Sequence, residues 1–198
     1  MLSVKRRTKI SKYLSYHLRH HPEKLGLTLD QGGWVDVENL LQATQKHHFP
    51  LTRQELTQVV AENEKQRFSF DQTGQRIRAN QGHSIPIDLQ LTPTQPPDIL
   101  YHGTSQKFVP KILQQGLRKM SRHHVHLSSD QITAKKVGQR HSKQRHGKQR
   151  HGKQLHGKPA IFQINATQLY HDGFPFYCTE NQVWLVDHVP PPYLTLLS

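Results

Sequence analysis

Three prolines within five residues, Pro93, Pro96 and Pro97, interrupt the chain just short of its midpoint. Proline lacks an amide hydrogen and fixes its own φ, so this stretch continues neither a helix nor a central strand. The chain therefore reads as two lobes, residues 1–90 and 99–198, with a Pro-rich linker over 91–98. At 198 residues each lobe has room for a modest core. A hydrophobic content of 33% leaves no surplus apolar surface for a membrane, and no run approaches the roughly 18 apolar residues of a spanning helix. Met1 to Arg7 carries charge with no apolar stretch behind it, so no signal peptide is expected. One cysteine, Cys178, excludes an intrachain disulfide and argues against a cysteine-based zinc site. A cytoplasmic, monomeric protein is the expectation.

Charge narrows the choice of partner. Lys and Arg number 27 against 14 Asp and Glu, a formal net of +13, and 16 His add more on acidification. That balance favours a polyanionic partner and leaves the fold undecided.

In the first lobe Ile10, Tyr13, Leu14 and Leu18 form a helical stripe that stops at Pro22. A turn at Gly32-Gly33-Trp34 leads to a second helix through Val37, Leu40, Leu41 and Thr44. Thr52 and Glu55 have capping-box spacing ahead of Leu56, Val59 and Val60, a third helix. Arg67 to Phe70 and Arg76 to Ala79 flank a turn and predict a hairpin. Three helices closed by a hairpin is the winged-helix pattern. In the second lobe Ile99 to His102 reads as a strand entering a turn at Gly103-Thr104-Ser105. A helix through Phe108, Ile112 and Leu113 ends at Gly116; His124 to Leu127, Ala160 to Ile164 and Val183 to Val186 read as strands. The fold class expected is α+β.

One segment is repetitive. Arg140 to Gln144 precedes two copies of Arg-His-Gly-Lys-Gln at 145–149 and 150–154, and Leu155 to Pro159 is a degenerate fourth unit. A five-residue period matches neither helix nor strand, and the segment has neither an acid nor an apolar stripe. Residues 140–158 are expected to form a mobile basic loop: either an electrostatic attractor of RNA phosphates or an inert surface expansion.

Several residues carry chemistry. Arg19-His20, at the end of the first helix, puts a fixed cation beside a titratable ring; the pair either meets an anionic ligand or complements the helix dipole. Arg67, Arg76 and Arg78 line the hairpin and suit phosphate contact. Asn80-Gln81-Gly82-His83 offers amide donors, close backbone approach and an imidazole to an anion. In His102-Gly103-Thr104, Gly103 can bring main-chain amides near a ligand while its neighbours supply directional hydrogen bonds. Strict alternation would put His124 and His126 on one strand face, but no third ligand with suitable spacing accompanies them, so no metal is expected.

Taken in order, Leu18-Arg19-His20, Lys65-Gln66-Arg67-Phe68, Ile77 to Ser84, Tyr101 to Thr104, Arg122 with His124 to Ser128, and Glu180 to Pro190 resemble the NAD-dependent RNA 2′-phosphotransferase family. The match runs from about residue 8 to about residue 194. It implies an N-terminal winged-helix lobe and a C-terminal ADP-ribosyltransferase-like lobe. It also implies a catalytic set of Arg19, His20, Arg67 and Arg122. NAD, as co-substrate, would be held by His102, Gly103, Thr104, Ser105, His126 and Ser128. Arg78, Asn80, Gln81, Gly82 and His83 would serve RNA phosphate. The partner implied is an RNA with an internal 2′-phosphate, a tRNA among the candidates. In the implied reaction the 2′-phosphate attacks the nicotinamide-bearing ribose carbon of NAD and expels nicotinamide, giving an ADP-ribosylated RNA. The ribose 2″-hydroxyl then attacks phosphorus, releasing 2′-OH RNA and ADP-ribose 1″,2″-cyclic phosphate. The one departure from the family pattern is the expanded array at 140–158.

Overall fold

The computed structural model describes residues 2–62, 66–120, 122–143 and 158–197. Lys65, Ser121 and residues 144–157 of the repeat array lie outside the described residues. The chain divides into two compact units, Met1–Leu91 and Thr92–Ser198, each mixing helix and sheet.

The first unit opens with α1 (Val4–Arg19), capped by Ser3, whose hydroxyl accepts from the Arg6 amide. Ile10, Leu14 and Leu18 recur every fourth residue and are fully buried, which is why this helix docks along one stripe. Pro22 cannot extend it, and Gly26, at φ 65°, ends the short turn that follows. Strand β1 (Trp34–Asp36) comes next, a strand where the sequence suggested only a turn into a helix. It leads into α2 (Val37–Lys46), capped by Asp36, and then α3 (Arg53–Ala61). The expected capping box is present: Glu55 N–H donates to Thr52 Oγ1 and Thr52 N–H to Glu55 Oε2, both at 3.1 Å. Arg6 clamps the same carboxylate from α1 at 2.9 Å on each oxygen, joining two helices at the cap. β2 (Phe68–Phe70) and β3 (Arg76–Ala79) form the expected antiparallel hairpin, and β1 adds to β3, giving the order β1-β3-β2. Val35, Ile77 and Phe68 turn to the core with Leu40, Leu56 and Val59, while Arg76 and Arg78 share the opposite face.

The second unit contains β4 (Ile99–Ser105), α4 (Val109–Gln115), β5 (Leu117–Arg118), β6 (Val125–Leu127) and α5 (Gln131–Lys143). β7 (Pro159–Asn165), α6 (Ala166–His171), β8 (Phe176–Cys178), β9 (Trp184–Val186), β10 (His188–Val189) and β11 (Leu194–Leu197) complete it. Its sheets run β11-β7-β4, β6-β9-β8 and β10-β5, all antiparallel. Tyr101 and Ser128 exchange two backbone hydrogen bonds of 2.8 Å and so tie β4 to the end of β6. Leu100, Val125, Leu127, Ile164, Phe176 and Val186 fill the core. Residues 92–97 belong to this unit, since the Thr94 amide donates to the Phe176 carbonyl at 2.8 Å. Among the described residues no helix is long and apolar enough to cross a membrane.

Three expectations need correction. Gly103-Thr104-Ser105 is not a turn: β4 runs through to Ser105, paired residue for residue with β7. Arg140 to Lys143, read as the start of a loop, form the last turn of α5, whose small residues Ala134, Gly138 and Ser142 pack inward every fourth position. His124 precedes β6 rather than lying in it, so strand alternation does not align it with His126.

Candidate functional site

In the first unit, three segments distant in sequence meet at the end of α1. Arg19 is its last residue and His20 its cap. The Arg19 carbonyl accepts from the Ser84 amide at 3.0 Å, and His20 Nδ1 lies 2.9 Å from Ser84 Oγ, so loop 80–84 is bound to the helix end. Arg67 joins through its carbonyl, which accepts from the Asn80 amide at 2.9 Å and from Arg19 Nη2 at 3.5 Å. Arg19 also stands over the Phe68 ring, 5.9 Å from its centre. Gly82 takes φ 86° beside the Arg19 guanidinium, a conformation only glycine adopts cheaply. Asn80 is 3% exposed; its Nδ2 donates to the Gln66 carbonyl at 2.8 Å, while buried Oδ1 has no hydrogen-bond partner among the described residues. His83 is also buried, and Gln81 lies in the same loop. Arg78 sits on the sheet face, 4.6 Å from the centre of the Trp34 ring. Ser84 and Trp34 were not among the sequence candidates, because neither residue type signals a site without its neighbours in space.

In the second unit the candidates cluster around β4 and β6. His102 donates from Nδ1 to the His126 carbonyl at 3.0 Å. A carbonyl can only accept, so the proton is on Nδ1 and Nε2 of the neutral ring is an acceptor. Burial lowers His102 to about 4, against the upward pull of that hydrogen bond. His126 is held likewise, Nδ1 to the His124 carbonyl at 3.1 Å, and burial lowers it to about 3. Thr104 and Ser105 are buried in β4, and Ser128 is the residue bridged to Tyr101. Arg122 precedes β6; burial, with the charge of Arg140 second, lowers its pKa. His124 packs edge-on against Tyr177 at 5.6 Å and lies 3.8 Å from Asp187. Among the described residues no group of three His, Cys, Asp or Glu could hold a metal.

The two depressed imidazoles have a consequence for stability. Unfolded histidine takes up its proton near pH 6.5, whereas folded His102 resists until about 4 and His126 until about 3. Below the unfolded value the unfolded chain binds more protons, so stability is complete above about pH 6.5 and declines as pH falls toward 4 and below. The second unit should therefore melt lower at about pH 5 than at neutral pH, and His102→Gln should flatten that dependence. Thermal melts across this range check it; an equal or higher melting temperature at the lower pH would contradict the assignment.

Residues 5–188 match the family described as RNA 2'-phosphotransferase, Tpt1 / KptA family. A protein of Trichormus variabilis named "Probable RNA 2'-phosphotransferase" is 57% identical over 193 residues, covering 98% of each chain. A protein of the same name from Nostoc punctiforme is 55% identical over 193 residues, again 98% of each. Another, from Herpetosiphon aurantiacus, is 48% identical over 195 residues, 98% of this chain and 99% of its own.

Proposed function

The chain belongs to the RNA 2′-phosphotransferase, Tpt1 / KptA family, and from that premise we propose that it removes an internal RNA 2′-phosphate by transfer to NAD. The observation that carries this reading is the convergence of Arg19, His20 and Arg67, from segments 47 residues and more apart, on a loop held by Asn80 and Ser84. Two guanidiniums with an imidazole between them in sequence suit a phosphate dianion better than any neutral ligand. The first unit is then a winged-helix lobe for RNA, and the second an ADP-ribosyltransferase-like lobe for NAD. A spliced tRNA is one RNA of the required kind.

The second unit's residues fit a dinucleotide. His102, neutral and locked with Nε2 as acceptor, is suited to a sugar hydroxyl donor, and a neutral ring beside a cationic nicotinamide ribose adds no repulsion. NAD, when bound, supplies an electrophilic ribose carbon and a neutral leaving group, so joining it to a phosphate oxygen needs positioning more than proton transfer. Arg19, Arg67 and Arg122 would orient that phosphate and later stabilise charge on its oxygens. The second displacement requires a proton to leave the ribose 2″-hydroxyl and another to reach the departing RNA 2′-oxygen. His20, its Nδ1 engaged by Ser84, is assigned to that transfer through Nε2.

Incubating an oligoribonucleotide carrying one internal 2′-phosphate with NAD and resolving the products tests the proposal. Expected are 2′-OH RNA, nicotinamide and ADP-ribose 1″,2″-cyclic phosphate. Unchanged RNA would make the protein a binder without turnover, and RNA retaining ADP-ribose would make it an ADP-ribosyltransferase. His20→Ala should accumulate the ADP-ribosylated RNA, because only the second step needs the imidazole. Seeing substrate alone at every time point would overturn the His20 assignment.

A further inference from the structure

Tyr16 lies one turn before His20 on α1, and the His20 amide donates to the Tyr16 carbonyl at 3.2 Å. Residues four apart on a helix share a face, so the Tyr16 ring projects on the same side as the imidazole assigned to the phosphate. Tyr16 takes no part in the core: it is 42% exposed, whereas His17 and Leu18 beside it are buried. Three contacts nevertheless hold its ring. Buried His17 meets it edge-on, with ring centres 5.0 Å apart at 87°. The His21 ring lies 4.7 Å away, tilted by 39°. Lys24 Nζ donates to the Tyr16 hydroxyl at 2.6 Å but lies 5.2 Å from the ring centre, so it stands at the hydroxyl end rather than over the middle of the face. These partners are fixed in turn. His17 Nδ1 donates to the His21 carbonyl at 3.2 Å, and the Glu23 carboxylate holds His21 Nδ1 at 3.1 Å. Lys24 precedes Leu25, which is anchored in the core. The His21 ring lies 6.5 Å from that of His20, centre to centre. Lys24, Tyr16, His21 and His20 thus form a continuous row that leads to Ser84, whose Oγ is 2.9 Å from His20 Nδ1.

A solvent-facing ring that is already immobilised loses little further entropy when a ligand stacks on it. Every nucleotide base offers a flat π-face, and stacking on aromatic side chains is a general way of holding single-stranded RNA. Glu23 favours a base over a second phosphate here, since its carboxylate beside His21 repels an anion and leaves a neutral base unaffected. We propose that Tyr16 is a stacking platform for the base of a nucleotide adjoining the one that carries the 2′-phosphate, with His21 and Lys24 fixing the ring. The inference rests on the functional reading above and names what the first unit binds of the RNA besides its 2′-phosphate.

The test uses the full-length protein and short single-stranded oligoribonucleotides with one internal 2′-phosphate. These are either intact or lack the base on the 5′ or the 3′ side of the phosphorylated nucleotide. Binding is measured without NAD by fluorescence anisotropy, and KM and kcat for RNA are measured at saturating NAD. Tyr16→Ala should weaken binding of the intact RNA roughly tenfold, the usual effect of losing one base–aromatic stack, and raise KM similarly with kcat little changed. Tyr16→Phe keeps the ring, loses the Lys24 hydrogen bond, and should stay close to wild type. Tyr16→Leu, a good helix former without a π-face, should behave as Tyr16→Ala does. Melting curves establish that each variant is folded. One of the two base-deleted RNAs should bind wild type as weakly as it binds Tyr16→Ala, which identifies the stacked nucleotide. Folded Tyr16→Ala or Tyr16→Leu protein with wild-type affinity for the intact RNA would overturn the inference. So would an undiminished loss on both base-deleted RNAs, because the ring would then act on something other than a base. Intact RNA that binds with the expected pattern but is never turned over would overturn the functional reading and leave the stacking platform standing.

Discussion

Arg67→Lys is expected to be as inactive as Arg67→Ala, each losing on the order of 100-fold or more in single-turnover removal of the 2′-phosphate. Charge is conserved in the first substitution, so the loss isolates geometry. A guanidinium is a rigid planar fork that can donate to two phosphate oxygens together, whereas an ammonium is a point charge on a flexible stem. The backbone at this position is prepared for such a fork. The Arg67 carbonyl is held by the Asn80 amide at 2.9 Å and by Arg19 at 3.5 Å. Gln66, just before it, takes a positive φ of 37°, with its carbonyl accepting from Asn80 Nδ2. These bonds fix the direction in which the side chain leaves the hairpin, and they involve main-chain atoms that the substitution leaves in place. Melting curves of Arg67→Lys and Arg67→Ala separate loss of folding from loss of the clamp. Near-wild-type rates for the lysine variant would remove Arg67 from the phosphate clamp.

The second large effect is on stability. Gly103→Ala would put a methyl group 1.7 Å from the Ala134 carbonyl oxygen, 2.6 Å from its carbon and 2.9 Å from the Gly138 nitrogen. All three are backbone atoms of a helix, so no rotamer change relieves the overlap. The helix must lift off the strand, opening a space beside Ala134 and Phe162, both fully buried. A cost of about 3 kcal/mol or more is expected, at the upper end for overpacked sites. For a unit of about this size that corresponds to a fall of roughly 10–20 °C in melting temperature. Gly173→Ala is the comparison: its φ is 90°, but a Cβ there has nothing within 4 Å, so only backbone strain is added. If Gly103→Ala melted as high as Gly173→Ala, the close packing of α5 on β4 would be wrong.

Where local chemistry decides conformation, the sequence was legible. The buried stripe of α1, the capping box of α3, the β2–β3 hairpin and the run from Ile99 into β4 depend on neighbours within a few residues. Arg19, His20, Arg67 and Asn80 could be named from motifs, yet nothing in their order showed that Ser84 would bind His20. The start of the low-complexity stretch, Arg140 to Lys143, is where local pattern and tertiary structure part. Arg140 to Lys143 lack an apolar stripe, so periodicity suggests a loop, but the helix is held by Ala134 and Gly138 meeting Gly103 on β4.

What the sequence determined by itself is the basic character and the short-range elements, because propensity, capping and proline geometry act within one or two turns of chain. The tertiary structure alone decided the rest. β1 is three residues long and exists because β3 supplies its partner, and α5 is placed by a glycine it meets only in three dimensions. The His102 proton is placed by the carbonyl of His126, 24 residues away, and its low pKa by burial that no local pattern encodes. Pairing, close approach and desolvation are properties of which distant groups become neighbours, and that is settled when the chain folds.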